Sequence, residues 1–181
     1  STNRLINAID DFANSENWER DYKIKQRNKV YAYCHDCIDH KKEILLSTIS
    51  GIIDPDNPEC LVFHGYLAEP MLVSEFTAHI ANVLVRAPLV SHEPSQKIQH
   101  IAWCTGGAQG YLQQAIDYGI DAYITGEVSE HTIHTAREHN VVFYAAGHHA
   151  TERYGIKALG EWLQQQFNDL DVQFIDIDNP A

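Results

Sequence analysis

Along this chain of 181 residues the spacing of apolar positions changes character near residue 65. Before it, Leu5, Ile6, Ile9 and Phe12 recur at helical spacing and run into a charged stretch up to Lys29, which predicts a helix, a turn and a second helix or polar loop. The mixed stretch Glu43 to Ile53 predicts a further helix, and the Asp54-Pro55-Asp56-Asn57-Pro58 cluster a turn. After it, Phe76, Ile80, Val83 and Leu84 fall on one helical face, predicting a helix from Ser74 to Leu84. Pro88 to Val90 predicts a short strand, Ile98 to Cys104 a buried one, and Tyr111, Leu112, Ala115 and Ile116 a helix. Strand Ala122–Gly126, helix Ser129–Glu138, strand Val141–Ala146, helix 149–167 and strand Val172–Asp176 follow. This alternation predicts an α/β fold of β-α units, with a mostly parallel sheet and helices on both faces. Residues 1–65 would be a small, largely helical N-terminal segment and 66–181 the α/β domain. The strand ends at Cys104, Gly126 and Gly147 then share one edge, where open α/β sheets bind ligands.

Composition narrows the classes. The 25 acidic against 13 basic residues leave a charge of −12, unsuited to a broad phosphate-binding surface, so nucleic acid is not the expected partner. Residues 1–65 hold 8 basic and 11 acidic side chains, a balance of −3, so the remaining −9 belongs to 66–181. No apolar run is long enough to span a bilayer and the start lacks the apolar core of a signal peptide, which leads to the expectation of a soluble, cytoplasmic protein with no membrane partner.

Three constellations carry chemistry. His148 and Glu152 stand four residues apart where the strand ending at Gly147 gives way to a helix, so an imidazole and a carboxylate can aim at one point and hold a divalent metal ion; iron, zinc or manganese suits such mixed nitrogen and oxygen ligands. The plainer alternative is an ordinary first helical turn, where acidic residues are favoured anyway. Gly106-Gly107, after the strand to Cys104, can leave N–H groups free to cradle a phosphate or carboxylate, or can simply make a tight turn. Cys34 and Cys37, followed by Cys60 and His64, have the ligand types of a Cys3His structural zinc site; buried small side chains and a redox pair are the other readings.

The segments GHHATERYGIKALGEWL, AWCTGGAQGY at 102–111 and YITGEVSEHTIHTARE at 123–138 together closely resemble the C-terminal half of the Nif-three-like family of dinuclear-metal proteins, the GTP cyclohydrolase I type 2 homologues. The resemblance runs from about Gly65 to Ala181, and residues 1–60 show no such pattern. It implies two metal ions between related α/β halves, with His148 and Glu152 as the ligands of this half. It further implies that Glu127 and His134 lie near the cavity, and it implies ring-like oligomers. The His-His-Gly and His-x-Pro-Leu-Asp segments that the family's other half supplies are not found.

Two functions follow. The first is a metal-dependent hydrolase acting on a nucleotide-like or phosphate-bearing small molecule, with His134 or His149 moving the proton, Glu127 in the cavity and Gly106-Gly107 taking the anionic group. The second is a non-catalytic metal-binding or protein-interaction module that has lost the complete centre. Because one histidine and one carboxylate are too few ligands for a catalytic ion, the remaining donors are expected from His149, His134, Glu127, the N-terminal segment or a neighbouring subunit, and a closed homo-oligomer is expected.

Overall fold

The structure of the chain, a computed structural model, describes residues 48–54, 60–92, 95–167 and 169–180. The strands are β1 (Thr48–Ile52), β2 (Phe63–Leu72), β3 (Leu89–Val90), β4 (Lys97–Trp103), β5 (Ala122–Thr125) and β6 (Val142–Ala145). The helices are α1 (Val73–Leu84), α2 (Leu112–Asp117), α3 (Glu130–Glu138) and α4 (His148–Gln166), with a 3-10 turn at Gln109–Tyr111 leading into α2. The described residues fall into two compact units, one of residues 48–154 with 176–180 and one of residues 155–175.

The first unit contains one six-stranded sheet in the order β1-β2-β4-β5-β6-β3. Its centre, β4-β5-β6, is parallel, as the alternation of elements predicts. The outer pairings β1-β2, β2-β4 and β6-β3 are antiparallel. Helices cover both faces. Successive residues of a strand point to opposite sides, and here Ala102, Tyr123 and Phe143 pack with Leu112 and Ala115 of α2 and Ala136 of α3. Their neighbours Ile101, Ala122 and Val142, with Tyr144, pack with Phe76 and Ile80 of α1.

Three expectations change. The predicted helix through Glu43–Ile53 is, over its described part, strand β1, because the β-branched run Thr48, Ile49, Ile52 finds an edge of β2 to pair with. The boundary at 65–66 falls inside the ten-residue β2, which is hydrogen-bonded to β1 on one side and β4 on the other. Residues Val172–Asp176 form no strand: the free edge of β6 is taken by β3, through Leu89 opposite Ala145, and Ile175 is 76 % exposed. In the second unit the described part is the later course of α4 and the segment 169–175, where Val172 lies against Gly160 and Lys157 over the Phe174 ring. The predicted helix in residues 1–31 lies outside the described residues. No helix among the described residues is long and apolar enough to cross a membrane.

Helix α1 opens with the Glu75 carboxylate accepting from the Leu72 N–H at 3.2 Å. It closes on Val85, whose φ of 54° is a left-handed conformation that a β-branched residue adopts only at a cost, while Arg86 N–H returns to Ala81 O at 3.1 Å. The Val85 side chain is 82 % exposed and contributes little packing in return. Val85→Gly should therefore raise the unfolding free energy by about 0.5–1 kcal/mol, the left-handed penalty less the extra chain entropy of glycine, as measured by chemical denaturation.

Candidate metal site at the strand ends

The site forms where the three parallel strands end. After β4 the chain turns at Gly106 (φ 69°), after β5 at Gly126, and after β6 at Gly147 (φ 95°). These ends lie against one another: Gly126 N–H and Thr125 Oγ1–H both donate to Gly106 O, at 2.9 and 3.0 Å, and Gly147 N–H donates to Gly126 O at 2.9 Å. A side chain does not fit in this stack. A Cβ on Gly126 would stand 2.7 Å from both Gly106 O and His148 Cα, and one on Gly106 would run into Glu152 Oε1 and come within 3.1 Å of His148 Nε2.

His148 begins α4 and extends over this edge. Its Nδ1–H donates to Glu127 Oε1 at 2.6 Å, and its Nε2 lies 3.0 Å from Glu152 Oε2 one turn along the helix. Both ring nitrogens thus face carboxylate oxygens. A neutral imidazole has only one N–H, so this arrangement requires an imidazolium or a cation in place of the second proton. The hydrogen bond to Glu127, aided by the Glu152 charge, raises the His148 pKa above that of an ordinary histidine. The hydrogen bonds from His148 and Gln109 in turn lower that of Glu127.

The residues fit a divalent ion. The Nε2 and Oε2 atoms have the separation expected of two donors to one ion at bond lengths of about 2.1 Å. The second ring nitrogen is held by a carboxylate, as it is in most histidine-metal sites. The donor set is partial: among the described residues no group of three or more His, Cys, Asp or Glu side chains is arranged to hold a metal.

Of the residues singled out in the sequence, the structure brings together His148, Glu152, Glu127 and Gly106. It does not bring His134 or His149 into the cluster. His134 is exposed on α3, 3.8 Å from Glu130, and His149 Nε2 lies 3.5 Å from Asp176, since adjacent helical residues point some 100° apart. The anion-cradle reading of Gly106-Gly107 loses two of its donors to threonine hydroxyls: Gly106 N–H donates to Thr151 Oγ1 at 3.0 Å and Ala108 N–H to Thr125 Oγ1 at 3.2 Å. What Gly106 supplies instead is room, since its Cβ would run into the Glu152 carboxylate, whereas a Gly107 Cβ would make an ordinary contact with the Glu127 carboxylate at 3.4 Å.

Of the four zinc candidates, Cys34 and Cys37 lie outside the described residues. Cys60 is buried in the core with Gln114 Nε2 donating to its sulfur at 3.6 Å, and both nitrogens of His64 are engaged, by His100 and by the Tyr118 hydroxyl. Gln109, Thr125 and Thr151 carry no site signal in the sequence; they reach the site through tertiary contacts over 18, 19 and 45 residues of sequence, which no local pattern records.

The Duf34/NIF3 (NGG1p interacting factor 3) family model matches residues 8–180. The chain belongs to this family. The match extends over most of the N-terminal segment in which the motifs showed no family pattern. The GTP cyclohydrolase 1 type 2 homolog of Pseudomonas aeruginosa is 53 % identical over 133 residues, which are 74 % of this chain and 52 % of the relative. That of Escherichia coli is 51 % identical over 135 residues, with the same coverage of 74 % and 52 %. Among solved structures, "protein ybgI, unknown function" superposes with a TM-score of 0.68 at 49 % identity, over 77 % of this chain and 54 % of that one. A Bacillus cereus protein related to NIF3 gives 0.56 at 27 % identity, over 60 % and 30 %. The chain thus spans about half the length of the curated relatives it matches.

The raised His148 pKa has a direct check in the metal-free protein. Its imidazole should titrate with a midpoint above the ordinary value of about 6.5, and Glu127→Gln should move the midpoint down. The sign is that of a protonated form favoured by two carboxylates. NMR of the ring resonances measures it, and an unchanged midpoint in Glu127→Gln would show that the pair is not formed in solution.

Proposed function

We propose that the chain carries one half of a divalent-metal centre and acts as a metal-dependent hydrolase on a nucleotide-like or other phosphate-bearing small molecule. The observation that carries this reading is His148 set between two carboxylates, with Nε2 and Glu152 Oε2 converging at 3.0 Å. An ion held there supplies the acidity that makes water a nucleophile at neutral pH. The chain's own residues do the rest: His148 Nε2 and the Glu152 carboxylate hold the ion, and Glu127 keeps the proton on Nδ1 so that the Nε2 lone pair faces outward. Iron, zinc and manganese suit this nitrogen and oxygen set. The nucleotide class of substrate rests on the name of the relatives, GTP cyclohydrolase 1 type 2 homolog. His134 and His149, the candidates for moving the proton, stand beside Glu130 and Asp176.

The second reading, a non-catalytic metal-binding or interaction module, is favoured by the partial donor set among the described residues. The two readings differ in whether a facing surface completes the site. We place that surface on another copy of the chain, and exposed apolar side chains on α4, Ile156 at 63 % and Leu159 at 48 %, are of the kind oligomer contacts cover. A structural zinc on Cys34, Cys37, Cys60 and His64 stays a separate proposal, and it would require His64 to give up its present hydrogen-bond partners.

Metal analysis tests the centre. Wild-type protein prepared without chelator should carry divalent metal, and His148→Ala and Glu152→Gln should each lose most of it; unchanged stoichiometry in both would remove the pair as ligands. Light scattering tests the assembly, with a closed homo-oligomer as the expected outcome. A strictly monomeric protein that binds metal through His148 would show that the site is completed within one chain.

A further inference from the structure

The Gln109 side chain has an arrangement that packing alone does not explain. It stands at the start of the 3-10 turn after Gly106-Gly107, on backbone held firmly to β5: Tyr123 OH donates to Ala108 O at 2.9 Å, and Ala108 N–H donates to Thr125 Oγ1. From there its Nε2–H donates to Glu127 Oε2 at 3.3 Å, while its Oε1 is buried and finds no hydrogen-bond partner among the described residues. A buried acceptor without a partner costs free energy, and turning the amide over would set its oxygen against a carboxylate. The amide is thus held in an orientation that serves Glu127 at its own expense.

The two oxygens of Glu127 are engaged separately, Oε1 by His148 and Oε2 by Gln109. One donor would leave the carboxylate free to swing about that contact. Two donors fix its plane, and the plane of the carboxylate sets the direction of the imidazole it holds. The line Gln109–Glu127–His148–Glu152 therefore crosses all three strand ends, from the turn after β4, through the loop after β5, to the helix after β6.

We infer that Gln109 is a positioning residue for the metal site: by fixing the Glu127 carboxylate it aims the His148 imidazole at the point shared with Glu152. The inference rests on the metal-site reading proposed above, and it goes beyond that reading in assigning the aim of the ligand to a residue that touches neither the ion nor its ligands. Outer partners of this kind are worth about ten- to a hundred-fold in metal affinity.

The test compares Gln109→Leu and Gln109→Glu with the wild type, by chelator-competition titration with zinc and manganese and by thermal unfolding of the metal-free protein. Gln109→Leu should weaken metal binding about ten-fold or more, while the melting temperature holds or rises, because an apolar group replaces a buried carbonyl that had no partner. Gln109→Glu should weaken it further by setting a second negative charge against Glu127. A side chain that only supported the fold would give the opposite pattern: affinity within about two-fold of wild type, or a loss of affinity matched by a fall in melting temperature, would overturn the inference. If the wild type itself takes up no metal, the metal-site reading fails, and the metal-free protein decides the positioning role. A His148 Nδ1–H resonance present in the wild type and lost in Gln109→Leu supports it; one that persists in the variant, or is absent from the wild type, overturns it.

Discussion

The candidate site depends on how closely three strand ends approach one another. Gly126 lies between Gly106 O and the backbone of His148, with no room for a Cβ on either side. Because these backbones touch, the side chains that leave them are bound to meet: Glu127 follows Gly126, His148 follows Gly147, and Glu152 returns over Gly106 one turn into α4. Thr125 and Thr151 lock the stack from both sides by bonding to the Gly106 carbonyl and N–H. The hydrogen bonds are ordinary in strength. Their effect comes from holding rigid backbone, rather than flexible side chains, at the distances a metal site needs.

The electrostatics of the cluster follow from that geometry. One imidazole between two carboxylates carries a net charge of −1 when protonated and −2 when neutral, so a proton or a metal ion on Nε2 relieves repulsion that the fold has built in. Proton and ion compete for one lone pair, and metal binding should strengthen as pH rises through the His148 pKa. The side chains of His148, Glu127 and Glu152 are 42, 46 and 50 % exposed, so solvent screens these charges and the cluster adds little to folding stability.

The flanks of the sheet bear on how this half of the family architecture is completed. β2 and β1 extend the parallel core with antiparallel strands, and β3 closes the other edge. The chain spans about half the length of the relatives it matches, and among the described residues His148 Nε2 and Glu152 Oε2 converge with no third His, Cys, Asp or Glu arranged beside them to hold a metal. A facing surface would supply both the missing donors and the exclusion of water that strengthens charge interactions at a reacting centre.

The sequence by itself determined the periodic elements and the local pairs. Helices α1, α3 and α4 and the central strands were legible because long amphipathic or uniformly apolar runs bury one face whatever their neighbours, and His148 with Glu152 was legible because helical spacing alone sets them on one face. The three family motifs pointed to the same place. Tertiary structure decided the rest. β1 reads as helix until an edge of β2 offers it hydrogen bonds, and Val172–Asp176 reads as strand although β3 already fills the edge of β6. The glycines at 106 and 107 look alike as a phosphate turn, yet threonines far along the chain take up neighbouring N–H groups and leave Gly106 the task of making room. His134 and Glu127 stand on the same stretch of sequence, and only the meeting of the strand ends selects Glu127. Spacing along the chain records what one element can do alone, whereas a site assembled from three strand ends depends on distances that no single element contains.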